Sequence, residues 1–134
     1  MAYLLDTDTI SAVLRRVPDA AVVRRLATVS QEEVFTSAVT VGELVYGAAL
    51  RHLPALEERM EALLATLPVV AFDEVAAYAY GTMRARLESE GRRLDDPDLR
   101  IASIAIAHEL VLVSGNERHF RRVQGLALEN WLAG

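Results

Sequence analysis

The sequence predicts an α/β fold of three layers, with helices on both faces of a parallel sheet of four to five strands. Short apolar runs of strand type alternate along the chain with longer segments whose apolar residues recur at helical spacing. Strands separated by helices favour parallel pairing and a sheet that is covered on both faces. No repeat and no linker rich in Pro or Gly divides residues 1–134, so one domain is expected.

Five apolar runs are predicted to be strands because they are short, rich in Val and Leu, and bounded by polar or turn-forming residues. In chain order they are residues 3–5, 33–37, 69–72, 110–113 and 126–128, the last being a short edge strand. Ser114-Gly115-Asn116 follows the fourth run and is typical of a turn.

The segments between these strands are predicted to be helices because their apolar residues recur every three or four positions. Capping residues and prolines mark the predicted starts, since both suit the first turn of a helix. In chain order the predicted helices begin at Thr7 or Asp8, Pro18, Ser37 or Thr40, Pro54, Asp73, Asp98 and Glu117. Their predicted ends lie near Leu14, Leu26, Leu50, Leu67, Gly91, Ala105 and Val123, and residues 91–97 are predicted to be a loop.

The composition excludes several kinds of site and partner. A net charge of −5 argues against a general polycation that binds nucleic acid through charge alone. The absence of cysteine excludes disulfides, thiolate metal sites and cysteine nucleophiles. All 14 basic residues are arginines. Arginine suits phosphate because its planar group donates two hydrogen bonds at once, although a GC-rich genome explains the composition equally simply.

The start of the chain, MAYLLDTDTI, carries two acidic residues and no basic residue, unlike a signal peptide. The longest apolar runs are too short to cross a bilayer. We therefore expect a soluble cytoplasmic protein without a membrane partner.

Four polar side chains are expected at one edge of the sheet. Asp6 follows the first predicted strand, Glu43 lies one turn into the helix after the second, and Asn116 follows the fourth. Asp98 opens the helix that leads into the fourth strand. The carboxyl ends of parallel strands meet at one edge of a sheet, and ligands usually bind there.

Each acid also has a purely structural explanation. Asp6 and Asp98 would both serve as N-terminal caps of helices, and that alternative stays open at this point. Glu43 is harder to explain in this way because it lies among apolar residues, and a buried carboxylate without a partner is costly. The combination favours a site over three unrelated structural roles.

A group of carboxylates without cysteine favours Mg²⁺, with Mn²⁺ as the alternative, because both ions prefer oxygen ligands. The histidines His52, His108 and His119 lack the spacing of zinc ligands. A metal-bound water with a lowered pKa attacks phosphorus in phosphodiester hydrolysis. The residues therefore predict metal-dependent cleavage of a phosphodiester.

Three blocks of the sequence resemble the PIN-domain nucleases, and specifically the VapC-type toxins of bacterial toxin–antitoxin pairs. The blocks are YLLDTDTIS, TSAVTVGELVYGA and DPDLRIASIAIAHELVLVSGNERHFRRVQGLALENW, which together extend over nearly the whole chain. The third block is the most specific. The resemblance implies a PIN-like α/β/α domain and makes Asp6, Glu43 and Asp98 the metal-binding acids.

The family often has a fourth acid near the turn after the fourth strand, at the position of Asn116 or three residues later. This chain carries Asn116 and His119 at these positions, so one metal ion is a better expectation than two. Asn116 would hydrogen-bond to a metal-bound water or to Asp6, and His119 would contact phosphate or cap the turn. Three further residues would support the site: Thr7 and Asp8 would orient Asp6, and Ser114 would hold a water nearby. Arg15, Arg100 and Arg118 would contact RNA phosphates. Caps, turns and solvated surface explain these six residues as well.

The resemblance implies a Mg²⁺-dependent endoribonuclease that acts as a toxin on a structured RNA, either tRNA or ribosomal RNA. It also implies a homodimer and a VapB-like antitoxin whose tail would occupy the active-site groove. One alternative is a non-catalytic binding module of the PIN fold. A phosphatase or phosphotransferase with Asp6 as nucleophile is less favoured, because it needs a lysine in the site and the chain has none.

Overall fold

A computed structural model describes residues 1–132 of the chain. Within these residues five strands alternate with seven α-helices and one 3₁₀ turn at Gln31–Glu33. The strands are β1 (Tyr3–Leu5), β2 (Val34–Ser37), β3 (Val69–Val70), β4 (Val111–Val113) and β5 (Leu128–Glu129). The helices are α1 (Thr7–Leu14), α2 (Ala20–Thr28), α3 (Ala38–Arg51), α4 (Pro54–Leu64), α5 (Glu74–Ser89), α6 (Asp96–Ala107) and α7 (Glu117–Phe120).

The five strands form one parallel sheet in the order β3-β2-β1-β4-β5, which confirms the predicted sheet. The first strand lies at its centre. Tyr3–Leu5 pairs with residues 34–36 of β2 on one side and with Val111–Val113 of β4 on the other. The chain therefore builds one half of the sheet with β2 and β3 and then crosses over to build the other half. Ligands bind preferentially in the crevice at such a change of direction.

Alternate side chains of the central strands enter two separate cores. Leu5 and Val113 belong to the core that packs under α1 to α4. Leu4 and Leu112 belong to the core that packs under α5, α6 and α7. Successive residues of a strand point to opposite faces, so both faces of the sheet are buried, as parallel sheets require. The helices form an outer layer on each side, which confirms the three-layer prediction.

The first helix is capped by a residue other than the two predicted to start it. Asp6, rather than Thr7 or Asp8, caps α1, because its Oδ1 accepts a hydrogen bond from the Thr9 N–H at 2.9 Å. The capping explanation for Asp6 is therefore correct. It does not exclude a role in a site, because Asp6 also stands at the end of the central strand.

Two further helices begin at positions other than those predicted. The helix α2 begins at Ala20 rather than at Pro18, and Asp19 caps it by accepting the Val22 N–H at 3.1 Å. A side-chain acceptor satisfies a free N–H of the first turn, which proline cannot do. The helix α6 begins at Asp96, within the predicted loop. Asp98 therefore lies inside the first turn of α6, and the prediction that it opens or caps this helix is wrong.

The other helix starts follow the predictions. Ser37 caps α3, Pro54 begins α4 and Asp73 caps α5. The edge strands differ more from their predicted bounds than the helices do. The strand β3 is shorter than predicted, and β5 lies at Leu128–Glu129 rather than at 126–128. An edge strand has a single partner, and it extends only where that partner is available. The helix α7 ends at Phe120, short of the predicted end. No helix within residues 1–132 is long and apolar enough to cross a membrane.

Candidate active site

Asp6 lies in the crevice between the two central strands β1 and β4, with its N–H bonded to the Val113 carbonyl at 3.1 Å. Its side chain is 4% exposed. Burial raises the pKa of Asp6 from 3.8 to about 6, and the charge of Asp8 acts in the same direction. Hydrogen bonds from the Ser114 hydroxyl and from Thr9 oppose this increase, because they favour the ionised form. Asp6 is thus a buried carboxyl group held in place from both central strands.

Asp98 is half-buried in the first turn of α6. Burial is the main reason that its pKa is raised from 3.8 to about 6. The negative charges of Glu43, Asp95 and Asp8 contribute in the same direction, in that order. His119 acts in the opposite direction. Because such interactions weaken with distance, these groups share one region of the surface. We refer to Asp6, Asp8, Glu43 and Asp98 as the acid cluster.

Glu43 is half-buried on α3 and is held by a chain of hydroxyl groups. The Thr7 hydroxyl donates to Glu43 Oε1 at 2.6 Å and lies 3.3 Å from the Thr40 hydroxyl. The Ser37 hydroxyl lies 3.1 Å from that of Thr40. Each hydroxyl has one proton, so Ser37 donates to Thr40, Thr40 to Thr7, and Thr7 to the carboxylate. The partner that the sequence requires for Glu43 is therefore the Thr7 hydroxyl in this structure.

The turn after β4 lies beside Asp6. The Ser114 hydroxyl is near enough to lower the pKa of Asp6, and its Oγ accepts the N–H of Asn116 at 2.9 Å. The neighbouring Gly115 has almost no room for a side chain, since a Cβ atom there would lie 2.5 Å from Leu132 Cδ1. Close packing of the C-terminal segment thus holds the turn, and with it Asn116, beside the end of β4.

The structure brings most of the predicted site residues together. Through the contacts and charge effects described above, the gathered residues are Asp6, Thr7, Asp8, Glu43, Asp98, Ser114, Asn116 and His119. Arg100 is not among them. Its Nε donates to Asp96 at 2.6 Å, and its guanidinium carbon lies 5.0 Å from the ring centroids of Phe72 and Tyr80. Arg100 therefore stabilises the contact between α6 and α5.

The remaining predicted arginines, Arg15 and Arg118, form no ion pair with the acid cluster within residues 1–132. Arg118 is exposed on α7, and Arg15 is exposed at the end of α1. The sequence pattern predicts Ser37 and Thr40 only as alternative caps of α3, and it does not predict their hydroxyl link to Glu43. The available signal is spacing, since residues three apart share one face of a helix and Thr40 precedes Glu43 by three positions.

The donor groups of the acid cluster fit Mg²⁺. No group of three or more Asp, Glu or His side chains within residues 1–132 is arranged to hold a metal ion by itself. Mg²⁺ does not need such a set, because it binds through one or two carboxylates and keeps several waters. Burial and mutual repulsion raise the pKa of both Asp6 and Asp98, and a divalent cation would relieve both effects. Zinc fits poorly, since it takes three or four protein ligands.

Comparison with known proteins identifies the family. The PIN domain matches residues 3–126. Ribonuclease VapC2 of Rickettsia felis is 30% identical to this chain over 132 residues, covering 98% of each protein. The tRNA(fMet)-specific endonuclease VapC of Shigella flexneri is 33% identical over 132 residues, again covering 98% of each protein.

The fold agrees with this relationship. A chain in the crystal structure of VapBC2 from Rickettsia felis, bound to a DNA fragment from their promoter, matches with a TM-score of 0.88 at 29% identity. The match covers 98% of this chain and 99% of that chain. The resemblance seen in the three sequence blocks is confirmed. The chain belongs to the PIN-domain family of nucleases, within its VapC group of ribonucleases.

Proposed function

We propose that this protein is a Mg²⁺-dependent endoribonuclease toxin that hydrolyses RNA at the acid cluster. The observation that carries the proposal is the pair Asp6 and Asp98. Asp6 follows the central strand β1 and Asp98 lies in the first turn of α6. The charge of Asp8 raises the pKa of both carboxyl groups, and both have a pKa of about 6. Raised carboxyl pKa values in a crevice are typical of functional sites.

Each acid has a defined task in this proposal. When bound, Mg²⁺ lowers the pKa of a bound water for attack on phosphorus and offsets charge on the phosphate oxygens. Asp6 and Asp98 would hold the ion in their ionised form, and the nearby Ser114 hydroxyl favours the ionised form of Asp6. Thr7 donates to Oε1 of Glu43, so the other carboxylate oxygen would be the one to bind the ion through a water or to take a proton from the attacking water.

The charge of the protein bears on its substrate. With a net charge of −5, the chain repels RNA on average and has low general affinity for it. Such a protein depends on local contacts with a folded RNA. The relative from Shigella flexneri is named a tRNA(fMet)-specific endonuclease. We therefore propose tRNA as the substrate to test first, with ribosomal RNA as the second choice.

We also propose two protein partners. The related Rickettsia felis structure is of VapBC2, and we infer that this chain likewise pairs with a VapB-like antitoxin. An arginine in the antitoxin tail would complement the acid cluster.

The second partner is another copy of this chain. Tyr46 and Leu50, one turn apart on α3, are 67% and 62% exposed, and exposed apolar side chains of this kind often mark protein contacts. The mass of the purified protein by light scattering tests the dimer.

The substitutions Asp6→Asn and Asp98→Asn test the catalytic assignment. Each removes one negative charge and preserves shape, and asparagine keeps the capping ability of Asp6. Cleavage of tRNA in Mg²⁺ should fall by at least about 100-fold in each variant, as when one strong electrostatic contact to a transition state is removed. The measurement is the cleavage rate on a denaturing gel, with circular dichroism as the check on folding.

The matched control is Asp19→Asn, which alters the same residue type at the cap of α2 and should leave the cleavage rate unchanged. Unchanged cleavage in both Asp6→Asn and Asp98→Asn would show that the assignment is wrong.

A further inference from the structure

A groove of about 500 Å³ leads away from the acid cluster along α1, α3 and α4. This volume is in the range of ligand-binding clefts, roughly 300–1,000 Å³. Thr7 and Glu43 line the groove at the acid cluster. Four exposed arginines line the remainder, namely Arg15, Arg16, Arg51 and Arg59. We call this feature the arginine groove.

The arginines lie at a regular distance from the acids. Arg15 follows Thr7 by about two turns at the end of α1, and Arg51 follows Glu43 by about two turns on α3. Two turns of helix correspond to roughly 11–12 Å. The positive end of the groove is therefore a few nucleotides away from the acid cluster along an extended RNA strand.

The four arginines are available for a ligand. None of them forms an ion pair with another residue in the range 1–132, whereas Arg25, Arg84, Arg100 and Arg121 each pair with a carboxylate. Arg59 donates through Nε to the Leu14 carbonyl at 3.1 Å, which fixes its side chain at the wall of the groove. In a protein of net charge −5, this is a local concentration of unpaired positive charge.

We propose that the arginine groove binds the phosphates of the RNA strand on one side of the bond that is cleaved. This inference rests on the proposed ribonuclease function. The acid cluster repels the phosphates that flank the cleaved bond, and nearby positive charge has to offset that repulsion. Guanidinium groups bind phosphate in a bidentate manner, and contacts of this kind position the strand without reading its sequence.

A protein tail is the other conceivable occupant, because core residues such as Leu14 and Leu44 provide an apolar floor. The charges favour RNA. Four exposed cations face a single lining carboxylate, Glu43, and a polyanion presents negative charges at every step along its length. A tail would need acidic side chains at matching positions to do the same. RNA and a tail in this groove would exclude each other.

A second basic group lies elsewhere and provides a control. Arg92, Arg93 and Arg122 line a separate cavity with Glu88 and Gly91, and no residue of the acid cluster lines it. The Arg122 guanidinium is bound to the Arg93 carbonyl at 2.7 Å. Substituting Arg92 and Arg93 removes the same charge as substituting two arginines of the groove.

The test compares Arg15→Gln/Arg51→Gln with Arg92→Gln/Arg93→Gln, which are equal in charge. Arg59 is left intact because its bond to Leu14 supports the fold. Binding of fluorescein-labelled unfractionated tRNA is measured by anisotropy at several salt concentrations in EDTA, so that no cleavage occurs. The groove variant should bind on the order of tenfold more weakly, as expected when hydrogen bonds to charged groups are removed. The slope of log affinity against log salt should fall by roughly 0.7–0.9 for each phosphate that the variant no longer binds.

The control variant should bind with the affinity and salt slope of the unsubstituted protein. In Mg²⁺, the groove variant should show a higher KM for tRNA cleavage with an unchanged kcat, because the substituted residues do not contact the reacting atoms. Equal weakening in both variants would overturn the inference, since only overall charge would then matter. Unchanged binding in the groove variant would overturn it as well, since the groove arginines would then not contact the RNA.

The groove inference and the proposed ribonuclease function can fail independently of each other. That function fails if the unsubstituted protein does not cleave RNA in Mg²⁺. The groove inference fails on the binding data, which need neither metal nor cleavage.

Discussion

The carboxyl group of Asp6 caps α1 through the Thr9 N–H and is at the same time almost fully buried, so that its pKa is raised to about 6. The cap favours the ionised carboxylate, and burial favours the protonated acid. Above pH 6 the folded protein therefore carries a charge that it would hold more easily when unfolded. Active sites often keep a group of this kind at the expense of stability.

The first prediction concerns the stability of Asp6→Asn without metal. Between about pH 4 and pH 6 the folded state binds more protons than the unfolded state, so the free energy of unfolding decreases as the pH rises. Asparagine keeps the cap and removes the buried charge. At pH 7.5 the variant should be more stable by up to about 3 kcal/mol, and at pH 4 the difference should nearly vanish. Urea unfolding at both pH values measures this.

Asp19→Asn is again the suitable comparison, because it alters an aspartate cap of α2. Its effect on stability should be small at both pH values. An Asp6→Asn variant that is less stable than the original protein at pH 7.5 would contradict the prediction, because the carboxylate would then stabilise the fold.

Single acids can be predicted from the sequence when they follow a strand, as Asp6 does. The position of Arg100 relative to the site is harder to predict from the sequence. Arg100 follows Asp98 by two residues on α6, and such residues point roughly 200° apart around a helix. Of the two, Asp98 alone therefore faces the acid cluster. The link between Thr7 and Thr40 joins residues 33 positions apart. Such contacts depend on how whole helices pack, and no local pattern reports them.

At the scale of elements, the hydroxyl chain from Ser37 through Thr40 to Thr7 joins the start of α1 to the first turns of α3. Thr40 is the central link and is fully buried. The chain holds Glu43 from the side of α1, so the relative position of two helices sets the position of one carboxylate.

The second prediction is that Thr40→Val weakens both folding and catalysis. Valine has nearly the same shape but leaves the Ser37 and Thr7 hydroxyl groups without one partner each. Loss of a buried hydrogen-bond partner costs about 1–3 kcal/mol of stability. The rate of tRNA cleavage should fall several-fold because Glu43 loses its orientation. Thr40→Ser keeps the hydroxyl and should restore the rate, which a role in packing alone does not explain.

The control for the valine substitution is Thr66→Val, where the threonine is exposed and its hydroxyl is bonded to the Leu63 carbonyl. Its stability and cleavage rate should stay close to those of the original protein. Equal cleavage rates for Thr40→Val and Thr66→Val would show that the hydroxyl chain does not position Glu43.

The helices and strands themselves are largely predictable, because apolar periodicity identifies most of them in the correct order. Their starts are less predictable where several capping residues compete. Asp6, Thr7 and Asp8 all suit the start of α1, and the hydrogen bond to Thr9 alone decides among them. At α6 the helix begins at Asp96, before the residue that the pattern favours.

At the scale of the whole molecule, the third prediction is that metal binding stabilises the protein. A ligand that binds only the folded state adds about 2.7 kcal/mol at a concentration one hundred times its Kd. Titration with Mn²⁺ at pH 7.5 should therefore raise the Tm by several degrees. The same titration should have little effect on Asp6→Asn and Asp98→Asn, and EDTA should reverse the change.

Asp19→Asn should respond to Mn²⁺ like the original protein. A Tm that does not change with Mn²⁺ in the original protein would favour a non-catalytic binding module, in which Asn116 replaces the fourth acid and the remaining acids have only structural roles.

The strand β1 lies at the centre of the sheet, with one neighbour at residues 34–36 and the other at residues 111–113. Thr9, beside Asp6, donates its hydroxyl proton to the Val113 carbonyl, 104 positions later. Synthesis proceeds from the N-terminus, so Asp6 and Glu43 leave the ribosome long before β4 does. The crevice cannot close beside Asp6 until β4 has emerged as well. A chain that stops before residue 111 therefore lacks the β4 side of the crevice, and we expect it not to cleave RNA.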